Sequence, residues 1–218
     1  NIKDLGGKPL IAGTIEAAKQ SGAFDRLVLT TDDAEIAEVG KRYGAEVPFL
    51  RPAELAEDTT PTLPVLQHAI TWLKEQEGYE PDAAMLLQPT TPFRSAEHLR
   101  GAVELFEKTG ADSVVSVVEI PGNYNPHWAF KVDDDLRATL YLGGAIRTRI
   151  KRRQDLPKAY SPNGMIYLFK PKLLFDVADP NFYGDDVRAY AVEESVSINI
   201  DSSEDWVLAE MAVERFRA

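Results

Sequence analysis

The sequence predicts an α/β fold with a doubly wound, mainly parallel sheet. Short apolar runs alternate along the chain with longer segments in which apolar residues recur at helical spacing. Residues 83–87 are apolar at every position, which is typical of a central strand buried on both faces of a parallel sheet. The alternation of helix and strand continues to about residue 120, and this order indicates right-handed crossovers with helices on both faces.

The residues at the element boundaries support this order. Pro9 suits a first helical turn, and Gly22 suits a helix end. Asp33 and Ser95 can accept hydrogen bonds from the free N–H groups that begin a helix. In chain order we expect helix 9–22, strand 26–31, helix 33–43, strand 45–49, helix 63–77, central strand 83–87, helix 95–109 and strand 112–120.

The alternation breaks after Pro121. The next forty residues hold turn formers and aromatic residues, with an extended stretch at 136–142, and residues 143–158 carry five basic residues before Asp155. A basic cluster in an acidic chain is a plausible site for a carboxylate or phosphate, and the alternative is a solvated surface. Beyond it we expect a turn at 160–164, strand 165–169, a short helix at 173–177, a final strand at 196–200 and a last helix ending near residue 216.

The turn after the central strand is a candidate ligand site. It carries the amide of Gln88, the hydroxyls of Thr90 and Thr91, and the guanidinium of Arg94. Open α/β sheets bind ligands beyond the carboxyl ends of their strands. The alternative is a crossover stiffened by two prolines.

Composition excludes several classes of protein. With 24 basic and 35 acidic residues the formal charge is −11, so no nucleic-acid partner is expected. The chain has no cysteine, and its three histidines have no metal-ligand spacing. No apolar run has the length of a membrane span and no signal peptide is visible, so we expect no membrane partner and a cytoplasmic location.

Seven stretches spread over the chain together resemble the acylneuraminate cytidylyltransferases, the CMP-sialic acid synthetase family. They are residues 1–3 with 7–11, 30–32, 51–59, 87–94, 152–157, 163–167 and 200–201. The resemblance implies a Rossmann-like nucleotidyltransferase that moves CMP from CTP to a nonulosonic acid such as sialic acid, releasing pyrophosphate with Mg²⁺. It also implies a homodimer, in which a single domain at 1–218 carries an inserted dimerisation arm at about 121–160.

The resemblance also assigns roles to individual residues, with Arg153 and Asp201 in catalytic positions. Nucleotide contacts are implied for Asn1, Arg51 and Thr62, substrate contacts for Gln88, Tyr160, Phe182 and Tyr183, a place beside the triphosphate or sugar carboxylate for Arg153, and metal binding for Asp201 with Asn199. Phe182 and Tyr183 match an aromatic pair that the family contributes across its dimer. Helix capping is the alternative role for Asp201, and solvated arm residues the alternative for Arg152 and Arg153.

Three departures from the family pattern bear on function. The family's first strand and its glycine- and lysine-rich phosphate loop would precede Asn1, so we expect such residues upstream of this sequence. Trp128 and Ser161 stand where sialic-acid enzymes often carry basic residues, which favours another sugar acid. Asn199 stands where the family has the first aspartate of an Asp-Ile-Asp motif, which suggests a weaker or shifted metal site.

Two alternative functions remain open on the sequence. One is a nucleotidyltransferase of the same fold that uses a sugar phosphate and another nucleotide. The other is a non-catalytic nucleotide- or sugar-binding homologue, suggested by Asn199 and by the phosphate loop that this sequence lacks.

Overall fold

The computed structural model describes residues 1–217 and confirms the α/β class. Its helices are α1 (Leu10–Ser21), α2 (Ala34–Tyr43), α3 (Thr62–Glu77), α4 (Ala96–Thr109) and α5 (Ser203–Arg217). Its strands are β1 (Ala84–Leu86), β2 (Ser113–Glu119), β3 (Phe130–Val132), β4 (Ala138–Leu140), β5 (Tyr160–Phe169) and β6 (Val187–Val192). None of the helices in these residues combines the length and apolar character needed to cross a membrane.

The helix boundaries follow the capping residues that the sequence indicated. Asp33 accepts hydrogen bonds from the Glu35 and Ile36 N–H groups at 2.7 and 3.0 Å, so its capping role is confirmed. Ser95 caps α4 in a reciprocal arrangement in which the His98 side chain accepts from the Ser95 N–H at 3.0 Å. These caps satisfy backbone donors that a helix leaves free at its first turn.

The main sheet has the order β1-β5-β2-β6. Strand β5 is antiparallel to both β1 and β2, whereas β2 is parallel to β6. Three strands therefore run in one direction, and the reversed β5 lies between two of them. The carboxyl ends of β1 and β2 still meet at one edge, next to the amino-terminal half of β5.

Several strand predictions need correction. Strand β6 was missed, and the final strand predicted at 196–200 is absent, since a 3₁₀ turn at Glu194–Val196 leads into residues outside any described strand. The predicted strands 26–31 and 45–49 form a single parallel bridge between Val28 and Glu46. The turn predicted at 160–164 is part of β5, and the short helix at 173–177 is a 3₁₀ helix, Pro171–Phe175.

The central position predicted for strand 83–87 is also wrong within the described sheet. Strand β1 lies at the edge of the sheet and is half-buried. An apolar run indicates that a strand is buried, but it does not indicate where the strand lies in the sheet, because the neighbouring strands come from distant parts of the chain. The most deeply buried large side chains lie instead on β5, on β2 and on the helices beside them: Phe169, Met165, Ile166, Val114, Leu99 and Leu174.

Residues 121–158, here called the arm segment, connect β2 to β5. Its base is closed by the Ile120 N–H, which donates to the Ala159 carbonyl at 2.8 Å. Within it, β3 and β4 form an antiparallel hairpin, and the remainder consists of short 3₁₀ turns. The indole N–H of Trp128 donates to the Ile150 carbonyl at 2.7 Å, which ties the two halves of the segment together.

Candidate active site

The turn after β1 is built around one buried cation. Arg94 is 4 % exposed and donates to the Gln88 carbonyl at 2.7 Å, the Met165 carbonyl at 3.2 Å and the Thr14 hydroxyl at 2.6 Å. It also bonds the Thr91 hydroxyl. Burial lowers the pKa of Arg94 to about 9, so the guanidinium is still charged at neutral pH. Arg94 is therefore a support inside the turn, and its interpretation as a ligand-facing group is wrong.

The side chain of Gln88 lies over Gly164 of β5. Gly164 has φ +75°, and a Cβ there would lie 3.3 Å from Gln88 Oε1 and 3.6 Å from a methyl carbon of Thr91. Glycine is thus required both by the backbone conformation and by the close approach of the amide. Gly164 of β5 thus supports the amide that the resemblance assigns to the acceptor sugar.

The segment that carries Asn199 and Asp201 is attached to the same turn. The Ile200 N–H donates to the Thr90 carbonyl at 2.8 Å, and the Ile200 side chain packs against a buried apolar cluster formed by Leu5, Leu10 and Ala209. The Asn199 amide nitrogen donates to Asp201 Oδ2 at 2.5 Å. The structure therefore brings the amide of Gln88 and the carboxylate of Asp201 to one edge of the sheet.

Asp201 does not cap the last helix. Ser202 and Asp205 do so reciprocally: the Ser202 N–H donates to Asp205 Oδ2 at 2.9 Å, and the Asp205 N–H donates to the Ser202 hydroxyl at 3.2 Å. The Asp201 carboxylate is exposed and accepts its hydrogen bond from Asn199. The capping alternative for Asp201 is therefore wrong.

The Asn199–Asp201 pair fits a hard cation that needs few protein ligands. The pair offers a carboxylate and an amide, and the Asn199 Oδ1 atom is buried without a hydrogen-bond partner. In residues 1–217 no group of three or more His, Cys, Asp or Glu side chains could hold a metal ion. Mg²⁺ is commonly held by one or two carboxylates together with substrate phosphates and water, so this small donor set suits it.

Arg51, which is predicted to contact nucleotide, lies beside the segment that ends at Asp32. The Arg51 N–H donates to the Thr31 carbonyl at 2.8 Å, and its guanidinium pairs with Asp32 at 3.3 Å. Arg51 Nε and the Thr30 hydroxyl are both buried without a hydrogen-bond partner. Buried polar atoms are normally satisfied, so these two mark a place where a ligand group could complete the hydrogen bonding.

Two further nucleotide candidates lie at helix starts. Thr62 is the first residue of α3, which no side chain caps at its N-cap, Pro61. Asn1 is exposed, and its carbonyl accepts from the Ile11 N–H at 3.0 Å in α1.

Arg153 lines a cavity of about 290 Å³ at the base of the arm segment. Its side chain lies over Gly122, where a Cβ would come within 2.6 Å of its Nε. The neighbouring Arg152 is paired with Asp155 through two hydrogen bonds of 2.7 and 2.8 Å. No ion pair joins Arg153 to a carboxylate of the described residues. Of the two arginines, Arg153 is thus the one available to a ligand.

The remaining substrate candidates are not brought to Gln88 within the described chain. Phe182 and Tyr183 stack at 4.7 Å, and both rings contact Tyr167 of β5 edge-on at 5.5 and 6.2 Å. The Tyr183 carbonyl accepts from the Ser113 hydroxyl at 2.6 Å, at the amino end of β2. Tyr160, half-exposed, lies at the start of β5 beside the arm segment.

Sequence reasoning assigned no role to the buried polar residues behind this edge. Asn163 bonds Ser116 of β2 and Ser197 at 2.6 and 2.9 Å. Asn163 lies in stretch 163–167, one of the stretches that carried the resemblance. Its place in that stretch was the one sequence signal that could have indicated a role for Asn163. The two serines have no local pattern that would single them out, because their partners are distant in sequence.

This chain is similar to several known proteins. A family model described as Cytidylyltransferase matches residues 1–218. The chain is 35 % identical to the CMP-N,N'-diacetyllegionaminic acid synthase of Legionella pneumophila, over 98 % of this chain and 89 % of that protein. It is 34 % identical to N-acylneuraminate cytidylyltransferase A of Danio rerio, over 99 % of this chain and 47 % of that protein. The solved structure of a CMP:2-keto-3-deoxy-manno-octonic acid synthetase complexed with CTP has a TM-score of 0.69 and 14 % identity, covering 99 % of this chain and 91 % of that one, which shows a shared fold.

Proposed function

This chain belongs to the cytidylyltransferase family, and from that premise we propose that it transfers CMP from CTP to a nonulosonic acid, giving a CMP-sugar and pyrophosphate. The observation that carries the proposal is the arrangement at the sheet edge. Gln88 rests on Gly164, and the segment ending at Asp201 is bonded to the same turn at Thr90. An amide suited to a sugar and a carboxylate suited to a metal thus share one edge.

The reaction exchanges one P–O bond of CTP for another and releases a proton. The anomeric oxygen of the sugar acid loses its proton and bonds to the α-phosphorus of CTP, and pyrophosphate leaves with the electrons of the broken P–O bond. Such transfers depend on positioning and on neutralising charge more than on covalent catalysis. The sugar carboxylate and the triphosphate are both anionic, and the unpaired guanidinium of Arg153 is suited to lie between them.

We assign Mg²⁺ to Asp201, with Asn199 beside it. When bound, the ion would neutralise phosphate charge and orient the triphosphate. The contribution of the chain is to hold the carboxylate in place, which the hydrogen bond from the Asn199 amide does. Because Asn199 is neutral, this site has one negative charge fewer than a pair of aspartates.

The proposed substrate is a sugar acid of the legionaminic or pseudaminic type. Identity does not separate the candidates, since the legionaminic and N-acylneuraminate relatives are 35 % and 34 % identical to this chain. The proposal is supported by Trp128, which is half-buried and fixed by its bond to Ile150, and by Ser161, which is exposed on β5. Sialic-acid enzymes often carry basic residues at these two positions. The uncharged Trp128 and Ser161 therefore favour a sugar acid whose side chain has fewer hydroxyl groups than that of sialic acid.

We also propose a homodimer that acts in the cytoplasm, where CTP is made. The dimer is supported by large apolar side chains that the arm segment leaves exposed. These are Tyr124, Phe130, Val132, Leu136, Tyr141 and Leu142. Clusters of this kind in a soluble protein commonly mark an interaction surface.

Pyrophosphate release tests the reaction and the sugar together. The protein would be incubated with Mg²⁺, one nucleotide (CTP, UTP, GTP or ATP) and one acceptor from a panel that includes N-acetylneuraminate, legionaminate, pseudaminate and a sugar phosphate. We expect turnover with CTP and the largest kcat/KM with a legionaminic or pseudaminic acid. Preference for N-acetylneuraminate would contradict the proposed sugar, and turnover of a sugar phosphate with UTP would contradict the reaction.

A further inference from the structure

The segment 197–201 is held against the rest of the chain by apolar packing of Ile198 and Ile200 and by two hydrogen-bond anchors, and not by a strand ladder. Its residues lie outside every strand of the described chain, although the segment ends in the site carboxylate. One anchor is the bond from the Ile200 N–H to the Thr90 carbonyl at 2.8 Å. The other is a side-chain bond, in which the Asn163 amide nitrogen donates to the Ser197 hydroxyl at 2.9 Å. The position of the Asp201 carboxylate therefore depends on both hydrogen bonds.

Asn163 is itself held by a buried serine at the bulge in β5. The pairing of β2 with β5 changes register between Val115 and Val117, so Ser116 faces extra residues of β5. Its hydroxyl, fully buried, accepts from the Ile166 N–H at 2.8 Å and donates to Asn163 Oδ1 at 2.6 Å. The Ser116 hydroxyl thus takes the place of a backbone acceptor for the Ile166 N–H at the bulge. By binding Asn163 Oδ1 it also orients the Asn163 amide nitrogen toward Ser197.

The hydrogen bonds continue in one direction beyond Asn163. The Ser197 hydroxyl accepts from Asn163 and donates to the Glu193 carbonyl at 3.0 Å, which closes the turn before the segment. Each group in the row Ser116, Asn163 and Ser197 donates to the next. Bonds arranged in this way polarise one another, and a buried amide left without its acceptor is costly.

We propose that Ser116, Asn163 and Ser197 form a positioning relay that sets where Asn199 and Asp201 lie relative to Gln88. The dipeptide Asn163-Gly164 serves both sides of the site, since Gly164 supports the Gln88 side chain and Asn163 holds the Asp201 segment. None of the three relay residues needs to touch a substrate. The inference rests on the proposed function, because it assigns Asp201 to the metal side of the transfer.

Ser197→Ala tests the relay, because it removes the acceptor of Asn163 without adding bulk. Ser197→Thr keeps the hydroxyl, and Ser21→Ala is the control: the Ser21 hydroxyl also donates to a carbonyl, that of Ala18, at 2.6 Å, but it is buried at the end of α1. Loss of groups that orient a metal ligand typically costs 10- to 100-fold in affinity or activity. We expect Ser197→Ala to lower kcat and to raise the half-saturating Mg²⁺ concentration about tenfold each, with the KM for CTP within about twofold.

Hydrogen exchange of the free protein gives a readout that does not require turnover. In Ser197→Ala the amides of residues 197–201 should exchange about tenfold faster, while those of α4 are unchanged. Ser197→Thr and Ser21→Ala should match the wild type in exchange of this segment and in Mg²⁺ dependence.

If Ser197→Ala lowers only the melting temperature, as Ser21→Ala would, or leaves the exchange of 197–201 unchanged, the relay is refuted. Absence of turnover in the wild type, with faster exchange in Ser197→Ala, would refute the proposed function and leave the anchoring intact.

Discussion

The sheet edge and the arm segment are held in place by different means. At the edge, the supporting side chains bond groups distant in sequence: Arg94 bonds Thr14 and Met165, and Asn163 bonds Ser197. In the arm segment the described hydrogen bonds are mostly local, such as those of the 3₁₀ turns, and Leu136 is 82 % exposed with φ 62°. A leucine in that left-handed conformation is strained and, at this exposure, gains little from burial.

This contrast indicates which interactions stabilise each region. The edge is stabilised inside the chain, so it is prepared for ligand before ligand arrives. The arm segment presents apolar and basic groups to solvent, so its groups remain available to a partner or to an anion. We therefore expect changes at the edge to affect turnover and folding, and changes in the arm segment to affect substrate affinity and assembly.

The largest effect is expected from Asp201→Ala at the edge. Because Ser202 and Asp205 cap α5, the variant should keep its melting temperature while losing transfer by about 1000-fold, a loss typical of removing a main charge-stabilising group. CTP binding, measured by calorimetry, should remain largely intact. Asp205→Ala is the matched control, and it should lose about 1 kcal/mol of stability with little change in kcat. Normal turnover in Asp201→Ala would remove Asp201 from the site.

A large stability effect is expected from Arg94→Met, since it leaves buried carbonyls and hydroxyls without their donor. Such losses destabilise by about 3 kcal/mol. Arg26→Met is the control: Arg26 pairs with Glu46 and Glu77 but is partly exposed, so its loss should cost only about 1 kcal/mol. Urea unfolding of both variants measures the difference. A larger loss for Arg26→Met would show that ion pairs outweigh the buried network.

In the arm segment, Arg153→Ala and Arg152→Ala separate a free cation from a paired one. We expect Arg153→Ala to raise the KM for the sugar acid about 30-fold, the value of a charged hydrogen bond of about 2 kcal/mol. Arg152→Ala should change it by less than about threefold, since Arg152 already pairs with Asp155. Steady-state kinetics at saturating CTP would show this. Equal effects of the two variants would place neither arginine at the sugar.

The smallest effect on the single chain is expected from Phe130→Ser combined with Leu142→Ser. Both side chains are exposed, so folding should change little, but the dimer should dissociate at a concentration at least about tenfold higher. Val177→Ser, an exposed apolar residue outside the arm segment, is the control and should leave assembly unchanged. Sedimentation across a concentration series measures both. A wild-type monomer at micromolar concentration would refute the dimer.

The sequence alone determined the features that depend on neighbouring residues. Asp33, Ser95 and Gly22 marked helix ends correctly, because capping and a left-handed φ act within a few residues. The apolar runs identified β1 and β2. The stretches that carried the resemblance identified the family, and they placed Gln88 and Asp201 among the candidate residues.

Only the tertiary structure decided features that join distant residues. It reversed β5 between β1 and β2, added β6, and replaced the final strand with a segment anchored at Ser197 and Ile200. It also made Arg94 an internal support and left Arg153 free, although both are arginines beside turns in the sequence. The physical reason is that strand order, burial and hydrogen-bond partners are set by contacts across the sheet, and local residue patterns carry no record of which distant groups will meet.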